Sequence, residues 1–569
     1  MKNFKNYCNL LFCFLMLKFR TGIAQDSGLK KNINIEKESS VQIETARRIF
    51  DKMEAAPSTQ ELSAKDTLSR YRFSLIHYPL NAIDPAVNLA ERQLTTRPSA
   101  EANYLKAGLG NYITSYLEGF LGSQPNKDYQ LGLHVKHLAS QRGAVDKQNS
   151  ASSWNEAEFI GRYFMPKGEM LGSLSYERQM IKYYGYGKNA PRNIIDTFQV
   201  PKNIYQTVAS RVSFKSAEKK SHPITYQADL RFHRISDAFN AQENNLDLSG
   251  KLYFRMNAQQ RISIRTNLII ANQSDSMQLN RNMFRFAPAY HHQKESLELS
   301  GGIIIAYQAK TFETNVNPQD YKSNFYVYPH LFAKAQILPH ELSVFGSITG
   351  DLIQQTWRGF IAENPFLNRN IAMAHTHNPL TLQIGTEISP NNQLNIKGTA
   401  NYGLYKNMHF FINHFADSAF FDIAYQNKTV GMFTASGELA YDLSNYKTIA
   451  TAEYFHYNMP KDSVLTYPFH RPQYKISWLN SAAVYENIRT EISLFLLGGI
   501  LAPKYEMNRV VSARELPVIA DMNLKGEYRI KENVFIFLVI NNLFSRRYER
   551  YQYYYVRGIN GLIGASISF

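Results

Sequence analysis

Apolar and polar residues alternate with a period of two along most of the chain, from about Ala100 to Phe569. This period places successive side chains on opposite faces of an extended strand. The stretch 520–530 shows the pattern most regularly, with one face made of Ala520, Met522, Leu524, Gly526, Tyr528 and Ile530 and the other of Asp521, Asn523, Lys525, Glu527 and Arg529. The first face can contact lipid, whereas the second requires water or charged partners.

The same alternation recurs at 226–233, 246–256 and 261–270. Each of these stretches is long, apolar on one face and charged on the other. Several such strands do not fit a soluble sandwich, but they fit the wall of a membrane barrel that is apolar outside and polar inside. After the N-terminus, the sequence has no charge-free run of roughly 18 apolar residues that could span a membrane as a helix.

Short polar segments separate the strands and predict tight turns. They lie at Asn257–Gln260, Leu338–Glu341, Ser389–Asn392, Ser444–Tyr446, Glu486–Asn487 and Arg529–Glu532, and near Pro125, Lys167 and Lys219. Between successive turns there is room for two strands and a longer connection. We expect these long connections on the extracellular side, including Trp357–Pro379, Tyr457–Pro472 and Ser545–Asn560.

These patterns predict an all-β fold, a single large transmembrane antiparallel β-barrel of about 20–22 strands that occupies residues 70–569. The first 24 residues read as a cleaved signal peptide, because Lys2 and Lys5 precede an apolar stretch and Gly22-Ile23-Ala24 offers small residues before the cut. Residues 25–69 are polar and are interpreted as a periplasmic N-terminal extension.

The positions of the cysteines and the net charge indicate which bonds and partners the exported chain can have. Both cysteines, Cys8 and Cys13, lie in the signal, so the mature protein is expected to contain no disulfide and no thiolate metal site. The formal net charge is +16, and loss of the four cations of the signal leaves +12. For an exported protein this basic balance points to outer-membrane lipid, lipopolysaccharide or anionic solutes, and not to nucleic acid. Basic residues that line a wet lumen and its loops explain the same charge without any ligand.

The C-terminal strand ends in Phe569, with Ile563, Ala565 and Ile567 on the same face. A last strand with a terminal phenylalanine resembles the signal read by the barrel assembly machinery of Gram-negative outer membranes. The stretch Ile540-Asn541-Asn542-Leu543-Phe544-Ser545-Arg546-Arg547-Tyr548 resembles the motif before the last extracellular loop of TonB-dependent receptors. Tyr467-Pro468-Phe469-His470-Arg471-Pro472 and Glu363-Asn364-Pro365-Phe366-Leu367 are similar to further passages of that family.

This resemblance implies an outer-membrane barrel and, through the family, transport of solutes. It covers most of the last 250 residues and weakens toward the N-terminus. Receptors of the family also carry an N-terminal plug domain and a box that engages TonB, and we expect the segment Gln25–Arg70 to supply neither. The resemblance therefore implies a barrel portion that lacks the plug.

Enzyme motifs are absent from the sequence: there is no Walker loop, nucleophile elbow, dinucleotide fingerprint or HExxH. We expect no catalytic residue and no cofactor. His375, His377, His409 and His414 could meet in space as metal ligands, but a His-x-His pair is common by chance, and no metal site is predicted.

Two groups of residues are candidates for binding. The polar strand faces predict a lumen lined by Asp247, Lys251, Arg255, Arg261, Arg265, Asn523, Lys525 and Glu527. The last loop predicts a basic and aromatic surface cluster of Arg546, Arg547, Arg550 and Tyr553, whose guanidinium groups could bind lipopolysaccharide phosphates. A solvated loop with interfacial aromatic rings explains this cluster equally without a ligand.

Three functions remain open at this point. The first is a passage for, or receptor of, solutes. The second is a plugless, non-transporting component of an outer-membrane secretion or biogenesis complex. The third is a barrel enzyme that acts on lipid.

Deletion of Phe569 is expected to reduce the amount of assembled barrel several-fold, because the terminal aromatic residue is the predicted assembly signal. The assembled fraction can be measured from the band that changes its gel mobility on boiling. Ser568→Ala, which alters the neighbouring residue on the other face, is the control and should assemble normally. Equal assembly of all three proteins would rule out this role for Phe569.

Overall fold

The structure, a computed structural model, describes residues 103–569 except 125, 127, 187–199, 218–222, 276–277, 312–321, 462–464 and 507–508. The predicted signal peptide, the polar extension 25–69 and the expected start of the barrel at residue 70 lie outside the described residues. The first described strand begins at Tyr104.

Long antiparallel strands form most of the described chain, as the period of two predicts. The first half of the barrel consists of β1 (Tyr104–Gly110), β2 (Thr114–Gly122), β3 (Tyr129–Ser140), β4 (Ser152–Met165), β5 (Gly168–Lys182), β6 (Lys202–Ser216), β7 (Ile224–Ser236), β8 (Gln242–Arg255), β9 (Gln260–Ser274), β10 (Gln278–Asn280), β11 (Met283–Lys294) and β12 (Leu297–Thr311). The second half consists of β13 (Lys322–Leu338), β14 (Leu342–Ile353), β15 (Thr376–Ile388), β16 (Leu394–Lys406), β19 (Val430–Asp442), β20 (Tyr446–Asn458), β21 (Tyr474–Tyr485), β22 (Ile488–Gly498), β25 (Ile519–Lys531), β26 (Val534–Asn541) and β29 (Asn560–Ser568).

Each barrel strand pairs with the strand before and after it, and the ring closes where β1 pairs with β29, from Tyr104↔Ser568 to Gly110↔Leu562. The short β10 pairs with β9 in the same register as β11 does, so β10 and β11 form one strand that is interrupted at residues 281–282. The result is a closed antiparallel barrel of 22 strands. The predicted fold class and strand number are confirmed.

Shorter elements lie in the connections. They are a 3-10 turn (Lys147–Ser150), the helix α1 (Trp357–Glu363), and three small hairpins, β17 (Met408–Asn413) with β18 (Phe421–Gln426), β23 (Leu501–Glu506) with β24 (Arg509–Glu515), and β27 (Glu549–Tyr551) with β28 (Tyr554–Tyr555). No helix in the described ranges is long and apolar enough to cross a membrane.

The two ends of the barrel differ, as predicted. Short turns lie at the end that also holds the start of β1 and the end of β29, and the long loops lie at the opposite end. The sequence missed one turn, Glu295-Ser296 between β11 and β12. This turn has no Gly, Asn, Asp or Pro, although Glu295 adopts the left-handed conformation with φ 43°, so the residue types that usually occupy such a position are missing.

The outer face of the barrel is apolar over its whole circumference. Large apolar side chains are exposed at alternate positions, for example Leu248, Leu252, Tyr402, Ile536 and Leu538. An exposed apolar surface of this extent is unfavourable in water and marks a membrane surface. The inner face carries the polar residues that alternate with these positions.

The closing seam needs glycine. Gly108 and Gly564 are directly paired across β1 and β29, and the Phe537 ring from β26 fills the space beside them. A Cβ atom on Gly564 would overlap the Ala107 carbonyl oxygen and the Phe537 ring.

Gly564→Ala is therefore expected to destabilise the folded barrel by about 1–3 kcal/mol, because the seam must open to accept the methyl group. The change can be measured by urea unfolding in lipid or detergent. Gly437→Ala in β19 is the matched control, since nothing lies within 4 Å of its added Cβ atom. Similar stability of the two variants would contradict the seam as described.

Candidate functional site at the lumen wall and the loop cap

The inner wall carries the residues that the sequence predicted to line the lumen. They occupy the positions that alternate with exposed apolar residues: Asp247, Lys251 and Arg255 on β8, Arg261 and Arg265 on β9, and Asn523, Lys525 and Glu527 on β25. The β8–β9 group and the β25 group are about half of the ring apart, so they are not brought together. Their role in solute passage stays a prediction.

Several of these residues have defined partners. Asp247 accepts a hydrogen bond from the Asn267 amide, and Arg265 Nη2 lies 3.3 Å from His330 Nε2. Asn523 Oδ1 accepts from the Asn542 backbone N–H at 3.1 Å, which joins the wall to the base of the last loop.

The predicted surface cluster is divided in the structure. Arg546 and Arg547 are exposed. Arg550 instead turns toward other loops, where its guanidinium lies 5.2 Å from the centre of the Tyr551 ring and donates to the His470 carbonyl at 3.3 Å. Tyr553 is half-buried, with a left-handed φ of 71°. Phe569 follows β29, is exposed, and donates its N–H to the Asn103 carbonyl at 3.0 Å.

At the end opposite the short turns, long loops pack together into a buried apolar cluster, here called the loop cap. Its members come from five connections and the adjoining strand ends: Ile181, Tyr183, Tyr184, Val200, Tyr205, Ile235, Ala241, Trp357, Phe360, Ile361, Phe366, Leu367, Ile371, Met373, Phe411, Ala419, Phe421, Tyr551 and Tyr554. The rings of Phe366 and Tyr554 stack with centroids 3.6 Å apart. The loops therefore share one core and do not extend separately into solvent.

The tyrosines of the loop cap bury their rings without losing hydrogen bonds. Their hydroxyls donate to main-chain carbonyls of other loops: Tyr183 to Leu367 (3.0 Å), Tyr205 to Pro365 (2.8 Å), Tyr551 to Glu363 (2.6 Å) and Tyr554 to Ala419 (2.5 Å). A buried hydroxyl without a partner would be costly, so each of these bonds fixes the position of one loop against another.

An ion pair joins the two loop passages that resemble the receptor family. Arg471 Nη1 lies 2.8 Å from Glu363 Oε1, and Arg471 Nη2 donates to the His409 carbonyl at 3.1 Å. His409 Nε2 is 3.2 Å from Glu363 Oε2, and burial lowers the pKa of His409. The similar residues of the two passages thus meet in space, although about 100 residues separate them in the sequence.

A second ion pair anchors α1 to the barrel wall. Glu243 lies at the end of β8 nearest the loop cap, and Arg281 lies at the break between β10 and β11. Both side chains are buried and are bonded to each other. The Trp357 N–H donates to the Glu243 carboxylate at 3.0 Å, and Thr356 caps the helix by accepting from the Gly359 N–H at 3.0 Å. The carboxylate therefore lies at the N-terminus of α1, where negative charge is favourable.

The four histidines considered as metal ligands take separate partners. His375 accepts from the Gln355 N–H at 3.1 Å, and the His377 ring packs at a tilt against Tyr326. His409 lies 3.2 Å from Glu363, and His414 lies 2.7 Å from Asp422. Within the described ranges, no three His, Cys, Asp or Glu groups come together in a way that could hold a metal ion.

The loop cap was not predicted from the sequence. Only Trp357, Phe360 and Ile361 on α1 follow a helical period, over too short a stretch to predict a cap, and the pairs that touch, such as Tyr205 with Trp357, lie far apart in the chain. The one available signal was the number of aromatic residues in segments interpreted as loops.

No protein-family model matches the sequence, and no curated protein matches it. Solved structures do match. The FrpB iron transporter from Neisseria meningitidis aligns with a TM-score of 0.63 and 9% identity over 82% of this chain and 81% of that one. The chain has the barrel fold of the TonB-dependent receptors. Two further receptors of this fold agree: the siderophore receptor PirA from Acinetobacter baumannii (TM-score 0.61, 10% identity, 82% and 80% covered) and the ferric-catecholate import receptor Fiu from E. coli K12 (0.59, 12%, 83% and 82%).

The alignments confirm the receptor-barrel resemblance for the fold. At identities of 9–12%, they do not carry over any binding residue.

The loop cap of this receptor-like barrel is expected to loosen in acid. His470 and His375 are almost fully buried, and burial lowers the pKa of each to about 3. Because a free histidine has a pKa of about 6.5, the opened cap takes up protons that the closed cap excludes as the pH falls below that value. The contribution of these two histidines to the free energy that keeps the cap closed is therefore greatest above about pH 6.5. This contribution decreases as the pH falls toward 3.

Hydrogen exchange of residues 408–426 at pH 7.5 and pH 5, corrected for the intrinsic rate, measures this loss. His470 donates through Nδ1 to the Phe411 carbonyl at 2.7 Å, and His470→Asn keeps an amide donor but cannot titrate. This variant should show a weaker pH dependence. An unchanged pH dependence would show that His470 is not responsible.

Proposed function

We propose that the protein is an integral outer-membrane barrel of a Gram-negative bacterium that receives or passes solutes, with its outer mouth covered by the loop cap. The observation that carries this proposal is the packing of five connections into one core over the mouth of a barrel with a charged inner wall. A barrel with this many strands encloses a lumen too wide for its own wall side chains to fill. The cap then separates the lumen from the outside.

The names of structurally similar proteins support this class of function. They include an iron transporter, siderophore receptors and a copper transporter. These activities belong to those proteins, and for this chain they support only the general class of solute receptor or passage. A lipid-acting barrel enzyme, the third hypothesis from the sequence, has no such support.

The loop cap supplies the means of control in this proposal. Its apolar core, the Glu363–Arg471 ion pair and the hydrogen bond from the Trp357 N–H to Glu243 must separate or move before a solute can enter from outside. Separation of the loops would expose the buried apolar core to water, so the closed arrangement is favoured without a ligand. Lipid and lipopolysaccharide surround the barrel, and the assembly machinery inserts it by reading Phe569.

The second candidate function is a non-transporting component of a larger assembly. A loop cap that never opens would favour this function. Conductance in planar bilayers distinguishes the two. We expect small, intermittent conductance for the wild type and a several-fold higher open probability for Phe421→Ser, which places a hydroxyl in the core of the cap.

Phe415→Ser is the matched control, because Phe415 lies in the same loop but is more than half exposed. It should conduct like the wild type. If Phe421→Ser stays closed although hydrogen exchange shows its cap loosened, the lumen is blocked independently of the cap, and the passage proposal fails in favour of the assembly component.

A further inference from the structure

Charged side chains on the outer face of the barrel are few, and most of them lie together. An outward position is one that shares a face with the exposed apolar residues of its strand. Among the barrel-strand residues whose side chains the structure describes, no Asp or Glu occupies such a position. The cations at outward positions are Arg178 and Lys182 on β5, Lys202 on β6, Arg234 on β7, Lys294 on β11 and Lys406 on β16. The first four belong to three adjacent strands and are here called the outward cation patch.

The members of the outward cation patch are close together in the sheet. Lys182 and Lys202 are direct cross-strand partners, and opposed residues of this kind have Cβ atoms about 5 Å apart. Arg178 and Arg234 lie on either side of Gln206 on β6, the first directly opposite it and the second one diagonal position away. The four long side chains can therefore reach one extended ligand on the outer face.

The patch begins where the apolar band of the outer face ends. Exposed apolar side chains on the same three strands are Met170, Leu174, Tyr176, Val208, Val212, Ile224, Tyr226, Leu230 and Phe232. Ten residue steps separate Ile224 from Arg234, and at about 3.3 Å each and a strand tilt of about 40° they rise roughly 25 Å along the barrel axis, the height of a membrane band. Arg178 and Arg234 therefore lie near the edge of the band, and Lys182 and Lys202 lie nearer the loop cap, at the level of lipid headgroups.

The barrel wall does not neutralise these charges. Lys182 donates to the Gln148 carbonyl at 2.8 Å, and Arg234 donates to Gln242 Oε1 at 2.6 Å, so both acceptors are uncharged. No residue of the patch forms an ion pair with a carboxylate in the part of the chain that the structure describes. Cations that lie beside a membrane without such partners attract anionic lipid headgroups.

We propose that the outward cation patch binds the lipid A part of lipopolysaccharide, a lipid whose phosphate groups lie above its acyl chains. Guanidinium forks match phosphate oxygens, and the lysine ammonium groups add positive charge. The acyl chains lie along the exposed apolar side chains of β5 to β7. A free anion would contact the charges alone, and an uncharged lipid would contact the apolar band alone. This inference goes beyond the proposed function, because it concerns the outer wall and does not depend on passage of a solute.

The experiment uses native mass spectrometry of the purified full-length protein in detergent. The probes are diphosphorylated lipid A, the same lipid without its phosphates, and inorganic pyrophosphate. We expect the wild type to bind diphosphorylated lipid A roughly tenfold more tightly than either of the other probes. The double variant Arg178→Gln with Lys202→Gln should lose this preference, because a glutamine amide keeps a hydrogen-bond donor but carries no charge.

The matched control is Lys294→Gln with Lys406→Gln, which also removes two outward cations but leaves the patch intact. It should bind all probes like the wild type. Equal binding by the two double variants would show that the patch is not the site. In the wild type, equally tight binding of lipid A without phosphates would mean that the acyl chains alone hold the lipid. Equally tight binding of pyrophosphate would mean a site for free anions, and either result overturns the proposal without any substitution.

Discussion

Satisfaction of backbone hydrogen bonds is the constraint on which the rest of this structure depends. In hydrocarbon, no water replaces a missing partner, and a sheet can exist there only if it has no edge. The pairing of β1 with β29 removes the last edge. The apolar exterior, the polar interior and the glycine pair at the seam all follow from that closure, because every strand must present one face to lipid and lie close to both neighbours.

The strands and their faces could be predicted because they depend on local pattern. The alternation at 520–530 correctly separates Lys525 and Glu527, which are buried on the inner wall, from Tyr528 and Ile530, which are exposed outside. The Glu295-Ser296 turn could not be predicted, since Glu295 takes the left-handed conformation that Gly, Asn and Asp favour and the turn contains none of these three. A strand and its two faces follow from the alternation of neighbouring residues, so the sequence alone was sufficient to predict them.

The candidate site depends on contacts that no local pattern contains. Phe366 stacks on Tyr554 from a distant loop, and Glu363 meets Arg471 only because the barrel brings the two loops to the same mouth. The sequence indicated Lys251, Arg255, Arg261 and Arg265 as residues of the lumen. That they oppose each other in like-charged pairs requires the register of β8 against β9, which the sequence alone does not give.

Closure of the ring can be tested directly by disulfide cross-linking. Both cysteines of the sequence lie in the predicted signal peptide, so no native cysteine is expected to compete with introduced ones. Ala107 and Ala565 are direct partners across β1 and β29. In a protein with Ala107→Cys and Ala565→Cys, a disulfide should form efficiently under mild oxidation, whereas Ala107→Cys with Ser566→Cys should cross-link poorly because the side chains point to opposite faces. Absence of the first disulfide, or equal yields from the two pairs, would contradict the closed barrel.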